Sequence, residues 1–359
     1  MTSAPSTEVG VFEGSDAEWD EFVSAHREGR FCHRTAYLET VRAVYGFRPQ
    51  RLALRRGGKL VGALAASACR SLLFGRKWVS VPFGEYGGFL VDDAAGADGT
   101  SRLVDLARRS AAAGRATALE ANGVLGLPDS LAALFTRSAP YELAVLDLAP
   151  GPDHLIEKDF KYEVRKAIKK AERAGLTTRE ASDAETIERV FYPLWLGSMK
   201  RLGVPPHAPS YFLEMKARFG PDLTIEWTER DGRPVAALLG IRTGARVQII
   251  ATASRPEDWQ DRPNDLAHWG FIRRACGIGA RWFDFGSVRY EGQRHYKEKW
   301  AVTFAPAAHW ILDLRAGARP KTFNSSSRTM ERASQLWSKY VPDGVARWIG
   351  PTIRGALLR

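Results

Sequence analysis

The sequence predicts an α+β fold in which a layer of mixed sheet with flanking helices occurs twice. Two observations carry this. A strand–turn–strand pattern at Arg51–Ala68, turning at Gly57-Gly58, returns at Thr224–Arg242, turning at Asp231-Gly232. Both hairpins follow two helical stretches and lead to a helix and a strand, ending in GRATALE and GARWFDF. Gly58-Lys59-Leu60-Val61-Gly62-Ala63-Leu64 also lies over Gly232-Arg233-Pro234-Val235-Ala236-Ala237-Leu238, so the shared order reads as an internal duplication.

In the first copy, Trp19, Phe22 and Val23 fall at helical spacing behind the caps Ser15 and Asp16. Thr35–Tyr45 is a second helix stopped by Gly46, and Val79–Pro82 and Gly87–Val91 bracket a glycine-rich loop. A helix near Thr100–Ala113 precedes a strand at Ala116–Glu120. Ala149-Pro150-Gly151-Pro152 reads as the linker, placing domains at 1–150 and 151–318 before a tail at 319–359. In the second copy, Ala184–Lys200 and Pro209–Phe219 are helices and Arg246–Ala253 is a third strand. A helix capped at Asn264 or Asp265 runs to Gly277, a fourth strand covers Arg281–Phe285, and Ala301–Leu314 suggests a closing hairpin.

The 359 residues are enough for two cores, and 45% hydrophobic with 26% charged residues is a globular balance. No apolar run approaches the roughly 20 residues of a spanning helix, and the N-terminus lacks the pattern of a secretory signal. Three cysteines without CxxC spacing fit a reducing cytoplasm. The seven histidines show no HExxH or clustered spacing, so no metal site is expected. Of the net charge of +11, residues 158–173 carry +4 and residues 319–359 carry +6, which points to anionic partners at two defined places.

Phe160, Val164 and Ile168 form an apolar stripe on the first of these segments. Beside it run Arg165, Lys169 and Arg173, joined by Lys166 and Lys170. The stripe reads as a solvated face or as a seat for a phosphate-bearing ligand such as tRNA or a nucleotide- or polyprenyl-linked precursor. No interleaved aromatic pattern supports sequence-specific nucleic-acid binding. In the tail, Met330, Ala333, Trp337, Tyr340 and Val341 share a helical face, followed by Val345, Trp348 and Ile349. That segment either lies on an anionic membrane surface, making the protein peripheral at its inner face, or packs on the body.

The element order resembles Gcn5-related N-acyltransferases (GNAT), and two copies in one chain resemble the FemAB family. The closest likeness is to the subgroup encoded beside exosortase and exopolysaccharide genes. The matching residues are Leu73-Phe74-Gly75, Val79–Phe83, Tyr86-Gly87-Gly88, Arg165–Gly175 and Leu202–Pro205. Asn264-Asp265, Trp269, Phe283–Gly286, Tyr296-Lys297, Lys299-Trp300 and the tail 337–355 complete the set. The resemblance implies two tandem GNAT-like domains and an acyl- or aminoacyltransferase. Its donor is aminoacyl-tRNA or acyl-CoA, no cofactor is bound tightly, and the acceptor is an amine on a phosphate-bearing envelope, peptidoglycan or exopolysaccharide precursor. Other readings are a CoA-dependent N-acyltransferase and a non-catalytic membrane scaffold.

Such transfer needs orientation and oxyanion stabilisation rather than a covalent nucleophile. The resemblance places Lys297 on the family's site lysine. Asp284, alternating with Phe283 and Phe285, either orients an amine or ties the Gly286 turn. Tyr296, Lys299, Trp300, Gly286, Arg289, Asn264, Asp265, Gln248, Arg165 and Lys169 are the candidate substrate-binding residues. Asn264-Asp265 also reads as a plain helix cap. The preceding loop, Gln260-Asp261-Arg262-Pro263, lacks the glycines of a coenzyme A pyrophosphate loop and carries acids nearby. Gly286-Ser287-Val288-Arg289 and Gln248-Ile249-Ile250 depart from the subgroup's usual GRSK and Pro-Tyr-Tyr.

Overall fold

A computed structural model describes residues 6–71, 74–315 and 328–357, without the side chains of 328–330. Leu73, residues 319–327 of the expected tail and the Met330 side chain lie outside the described residues. The chain divides into two units. The first holds Met1–Tyr141, Pro306–Phe323 and Gly355–Arg359; the second holds Glu142–Ala305 and Asn324–Arg354. The Ala149–Pro152 turn therefore falls inside the second unit, where Leu148 N–H donates to Arg281 O at 2.9 Å and Gly151 adopts φ +83°.

In the first unit the chain runs β1 (Thr7–Val11), α1 (Asp16–Ala25), α2 (Thr35–Tyr45), β2 (Arg48–Arg56), β3 (Lys59–Ser71), β4 (Gly75–Val79) and β5 (Phe89–Val91). Then follow α3 (Gly96–Ala113), β6 (Ala118–Gly123), the short α4 (Asp129–Ala132) and β7 (Thr136–Asp147), which belongs to the second unit from Glu142 onward. In the second unit come α5 (Pro152–His154), α6 (Tyr162–Arg173), β8 (Thr177–Ala181), α7 (Ala184–Thr186), α8 (Tyr192–Arg201) and α9 (Pro209–Phe219). After these are β9 (Leu223–Arg230), β10 (Arg233–Thr243), β11 (Arg246–Ser254), α10 (Pro263–Gly277), β12 (Trp282–Val288) and α11 (Glu291–Glu298), then β13 (Thr303–Asp313), which belongs to the first unit from Pro306 onward. The tail forms α12 (Arg328–Tyr340) and α13 (Asp343–Leu357). The closing segment is one strand, not the expected hairpin: the backbone turns at Ala301 (φ +55°) and stays extended through Pro306.

The duplication is visible in strand pairing. In the first unit β1, β2, β3 and β4 pair antiparallel in series, β4 pairs parallel with β6, and β6 pairs antiparallel with β13. In the second unit β8, β9, β10 and β11 pair antiparallel, β11 pairs parallel with β12, and β12 pairs antiparallel with β7. A helix crosses between the parallel strands each time, α3 in one unit and α10 in the other, as parallel pairing demands. Apolar burial follows: Leu54, Leu64, Leu103 and Leu119 share one core, and Leu238, Val247, Phe271, Phe283 and Trp300 share the other.

The tail's inward side packs on the second unit. Ser334 Oγ donates to Leu202 O and Gly203 O at 3.3 and 3.1 Å, Lys200 Nζ lies 2.9 Å from Asp343, and Arg354 donates to Pro205 O at 2.9 Å. Gly203 has φ +67°, and a Cβ there would sit 2.5 Å from Ser334 O. Gly203→Ala should cost about 2 kcal/mol in denaturant unfolding and speed hydrogen exchange in α12.

Buried titratable groups set a second expectation. Burial, aided by nearby positive charge, lowers the His33 and His268 pKa values from 6.5 to about 3. Below pH 6.5 the unfolded chain binds protons that these native imidazoles refuse, so stability falls as pH drops. Glu226 lies on β9 beneath Gly270 of α10, and burial raises its pKa from 4.5 to about 8 against the lowering pull of Arg273. Between these values the native state holds a proton that the unfolded state has released, so stability falls as pH rises through 8. Urea unfolding should show a stability decline between pH 6.5 and about 9 that Glu226→Gln removes.

Candidate functional site

The second unit has an opening in its sheet, and local irregularities create it. β11 and β12 pair only from Arg246↔Trp282 to Gln248↔Asp284, though both strands continue. Opposite β10, the register steps from Gly240↔Ile249 to Leu239↔Ala251, which leaves Ile250 as an extra residue. Opposite β7, β12 steps from Asp284↔Val145 to Ser287↔Leu143, again with one extra residue, and Gly286 takes φ +78°. Each bulge bends its strand where the two part. The departures from the subgroup's motifs therefore sit at these two bulges.

Asp284 is fully buried at the fork. Its Oδ1 accepts from Gly286 N–H at 2.9 Å, and Arg246 Nη1 lies 3.7 Å from Oδ2. Of the two roles read from sequence, the geometry gives it the turn-tying one. Gln248 faces it in register, buried, with its Oε1 outside any hydrogen bond.

Behind the fork, α11 brings up Tyr296 and Lys297. Lys297 Nζ donates to Ser287 O at 2.6 Å, fixing the ammonium beside the parted end of β12. Tyr296 Oη lies 3.0 Å from His268 Nδ1, and that nitrogen is 2.7 Å from Asn264 O. A carbonyl only accepts, so Nδ1 carries the hydrogen, and the tyrosine oxygen can share it as a second acceptor. Tyr296 then keeps its own proton for donation elsewhere. Burial, then the Asp265 charge, pushes its pKa well above the ordinary value, so the phenol stays protonated. Trp300 is core, packed on Phe160 and Phe285 at ring separations of 5.2 and 5.8 Å.

Neither Asn264 nor Asp265 caps α10, contrary to the sequence reading. Arg262 occupies the N-cap with φ +61°, and Pro263 fills the first helical position, where its missing N–H costs nothing. Asn264 Nδ2 instead donates to Ser254 Oγ at 3.2 Å, and Asp265 pairs with Lys299. The other loop acids are also partnered: Asp261 lies 2.6 Å from Arg230, and buried Asp258 lies 2.8 Å from Arg233. They leave little bare negative charge at this helix start.

A cleft of about 450 Å³ opens here, lined by Glu163, Lys166, Ala167 and Lys170 of α6 with Arg262, His295, Tyr296 and Lys299. Lys166, Lys170 and Arg262 face it beside one lining carboxylate, Glu163, and the fourth cation, Lys299, is paired with Asp265, so the lining is net positive. The predicted basic stripe thus contributes, but through Lys166 and Lys170. Arg165 turns away and donates to Ile156 O and Phe160 O, each at 2.9 Å, Lys169 is exposed outside the cleft lining, and Arg289 is exposed at the start of α11. Sequence reasoning missed His268; its place four residues after Asn264, on the same helix face, was the available signal.

The first unit closes its corresponding fork. β4 and β6 pair at Trp78↔Leu119 and Val79↔Glu120, and then the 80–88 loop fills the space. Asn122 N–H donates to Ser80 Oγ at 3.2 Å and its Nδ2 to Gly84 O at 3.3 Å, while Tyr141 Oη donates to Glu85 O at 2.5 Å.

Lys299 and Asp265 are both nearly buried, so removing only one strands a charge. Lys299→Ala should destabilise the protein by about 3 kcal/mol in denaturant melts, and Lys299→Met with Asp265→Leu should recover most of that loss.

Residues 158–298 match the family model described as Acetyltransferase (GNAT) domain. No curated protein matches the chain in sequence. Among solved structures, FemX aligns with a TM-score of 0.70 at 16% identity, over 85% of this chain and 97% of its own. A tandem GNAT protein from the clavulanic acid biosynthesis pathway aligns with a TM-score of 0.54 at 13% identity, over 87% and 100%. L-PGS from Bacillus licheniformis gives 0.53 at 11% identity, over 92% and 98%. The chain has a tandem GNAT-like fold, and its second unit carries the matched acetyltransferase domain.

Proposed function

We propose that the second unit transfers an acyl or aminoacyl group from a phosphate-bearing carrier to an amine on an envelope, peptidoglycan or exopolysaccharide precursor. The observation that carries this reading is the fork between β11 and β12 with Lys297 at its edge and the cationic cleft nearby. The acceptor nitrogen attacks the carrier's ester or thioester carbon. A C–N bond forms, the carbon–oxygen or carbon–sulfur bond breaks, and the departing atom ends with the proton the amine loses. Charge that collects on the carbonyl oxygen is met by the Lys297 ammonium, with the Tyr296 hydroxyl as a second donor. Lys166, Lys170 and Arg262 hold the carrier's phosphates by charge. Within this reading the resemblance of the sequence to the FemAB family favours aminoacyl-tRNA as the carrier.

Acyl-CoA is the second carrier to test. The acids that seemed to spoil the α10 helix start are held by Arg230, Arg233 and Lys299, so a pyrophosphate there would meet the Arg262 charge.

The purified protein, supplied with charged tRNA or acyl-CoA and an amine acceptor, should consume one of them. Lys297→Met should lower kcat about 100-fold with little change in KM. Lys166→Ala with Lys170→Ala should instead raise the donor's KM. Full turnover by Lys297→Met would sink the assignment of that lysine. Use of acyl-CoA but never charged tRNA would replace the preferred carrier.

A further inference from the structure

We infer that the outward face of α12 and α13 docks the protein on an anionic lipid surface. The sequence left this tail divided between a membrane and the protein body, and the structure gives each possibility a different side of the same helices. Ser334, Ser338, Ala346 and Gly350 face the second unit: Ser338 Oγ donates to Arg201 O at 3.3 Å, and Ala346 and Gly350 are buried. Over residues 328–354 the tail is therefore part of that unit.

The opposite side is apolar and basic. Leu336 and Tyr340 of α12 are 59% and 64% exposed, and Val345 and Trp348 of α13 are 43% and 81% exposed. Arg332, Leu336, Lys339 and Tyr340 follow one another at intervals of three or four and one residues, on the solvent side of α12. On α13 the interval of three puts Val345 and Trp348 on one side. Such residues would cost nothing inside a core, but here they stand in water on helices whose other side is already packed.

The occupant follows from their chemistry. Tryptophan and tyrosine partition to the headgroup region, where an apolar ring and a polar edge are both satisfied. Lysine and arginine beside them reach anionic phosphates while their stems stay with the apolar layer. Residues 319–359 carry a net +6 in sequence, and Arg332 and Lys339 stand exposed on α12, beside the exposed Glu331, as the described cations facing outward. Asp343, an acid on these helices, is engaged by Lys200. Among the described residues no helix is long and apolar enough to cross a membrane, so the contact is one of lying on the surface. This inference does not depend on the transfer reaction.

The test is co-sedimentation of the full-length protein with vesicles of phosphatidylglycerol and phosphatidylcholine, against vesicles of phosphatidylcholine alone. Binding is expected only where phosphatidylglycerol is present, and it should weaken as salt rises. Leu336→Ser with Trp348→Ser, and separately Arg332→Glu with Lys339→Glu, should each reduce partitioning at least ~10-fold while thermal melting stays unchanged. Equal binding to both vesicle types, or binding indifferent to both double variants, would overturn the proposal. So would a vesicle-free dimer that the same substitutions dissociate, since that assigns the face to a second copy.

Discussion

The second unit depends on a strand pair that is made and then abandoned. Three residue pairs tie β11 to β12, after which a bulge on each strand turns it away from the other. Lost ladder hydrogen bonds leave backbone groups needing other partners, and a buried backbone cannot leave them unmet. On the β12 side the Ser287 carbonyl finds the Lys297 ammonium, and the Gly286 amide finds Asp284. The groups that repair the broken ladder are thus the charged groups at the opening. These two contacts hold the β12 side of the fork in place.

Electrostatics at this opening look contradictory in sequence and coherent in space. Asp258, Asp261 and Asp265 cluster near the start of α10, where an anionic ligand would be repelled. Arg230 and Arg233 come from the β9–β10 hairpin and Lys299 from beyond α11, so the neutralising partners are more than twenty residues away. Once the acids are paired, the remaining charge belongs to Lys166, Lys170 and Arg262 around the cleft. The Lys299–Asp265 pair is buried enough that salt screens it weakly, whereas the exposed Arg233 and the cleft cations face solvent and respond to ionic strength.

What could be read from the chain divides along the same line. Hairpin turns, helix stops at glycine and the order of elements are local facts, and they sufficed for the tandem fold. Lys297 was reached through its neighbours' likeness to a family, and its contact with Ser287 needed only ten residues of chain. The capping role given to Asn264-Asp265 failed because Pro263 starts the helix with Arg262 as its cap, two residues before Asn264, and Lys299 pairs with Asp265. Arg165 and Lys166 differ by one position, yet a helical step of one residue swings the side chain to another side, so one caps carbonyls and the other faces the cleft. Composition could not choose between them. The roles of His268 and Arg262 required knowing what α6, α10 and α11 bring together.

The two copies of the fold also explain why one sheet can carry an opening. Both units repeat the same antiparallel run, parallel pair and final antiparallel strand, so the parting of the parallel pair belongs to the shared architecture. In the first unit Ser80, Gly84 and Glu85 are fastened to Asn122 and Tyr141, and the loop they belong to occupies the fork. A glycine with φ +91° at position 123 lets that loop approach closely, since a Cβ there would meet Glu85 O at 3.0 Å. The filled fork gains the packing and hydrogen bonds of its loop, yet a buried side-chain oxygen stays outside any hydrogen bond at both forks, Asn122 Oδ1 in the first unit and Gln248 Oε1 in the second. What separates the two is the loop itself: the fork it leaves open is the one within the segment that matches the acetyltransferase family.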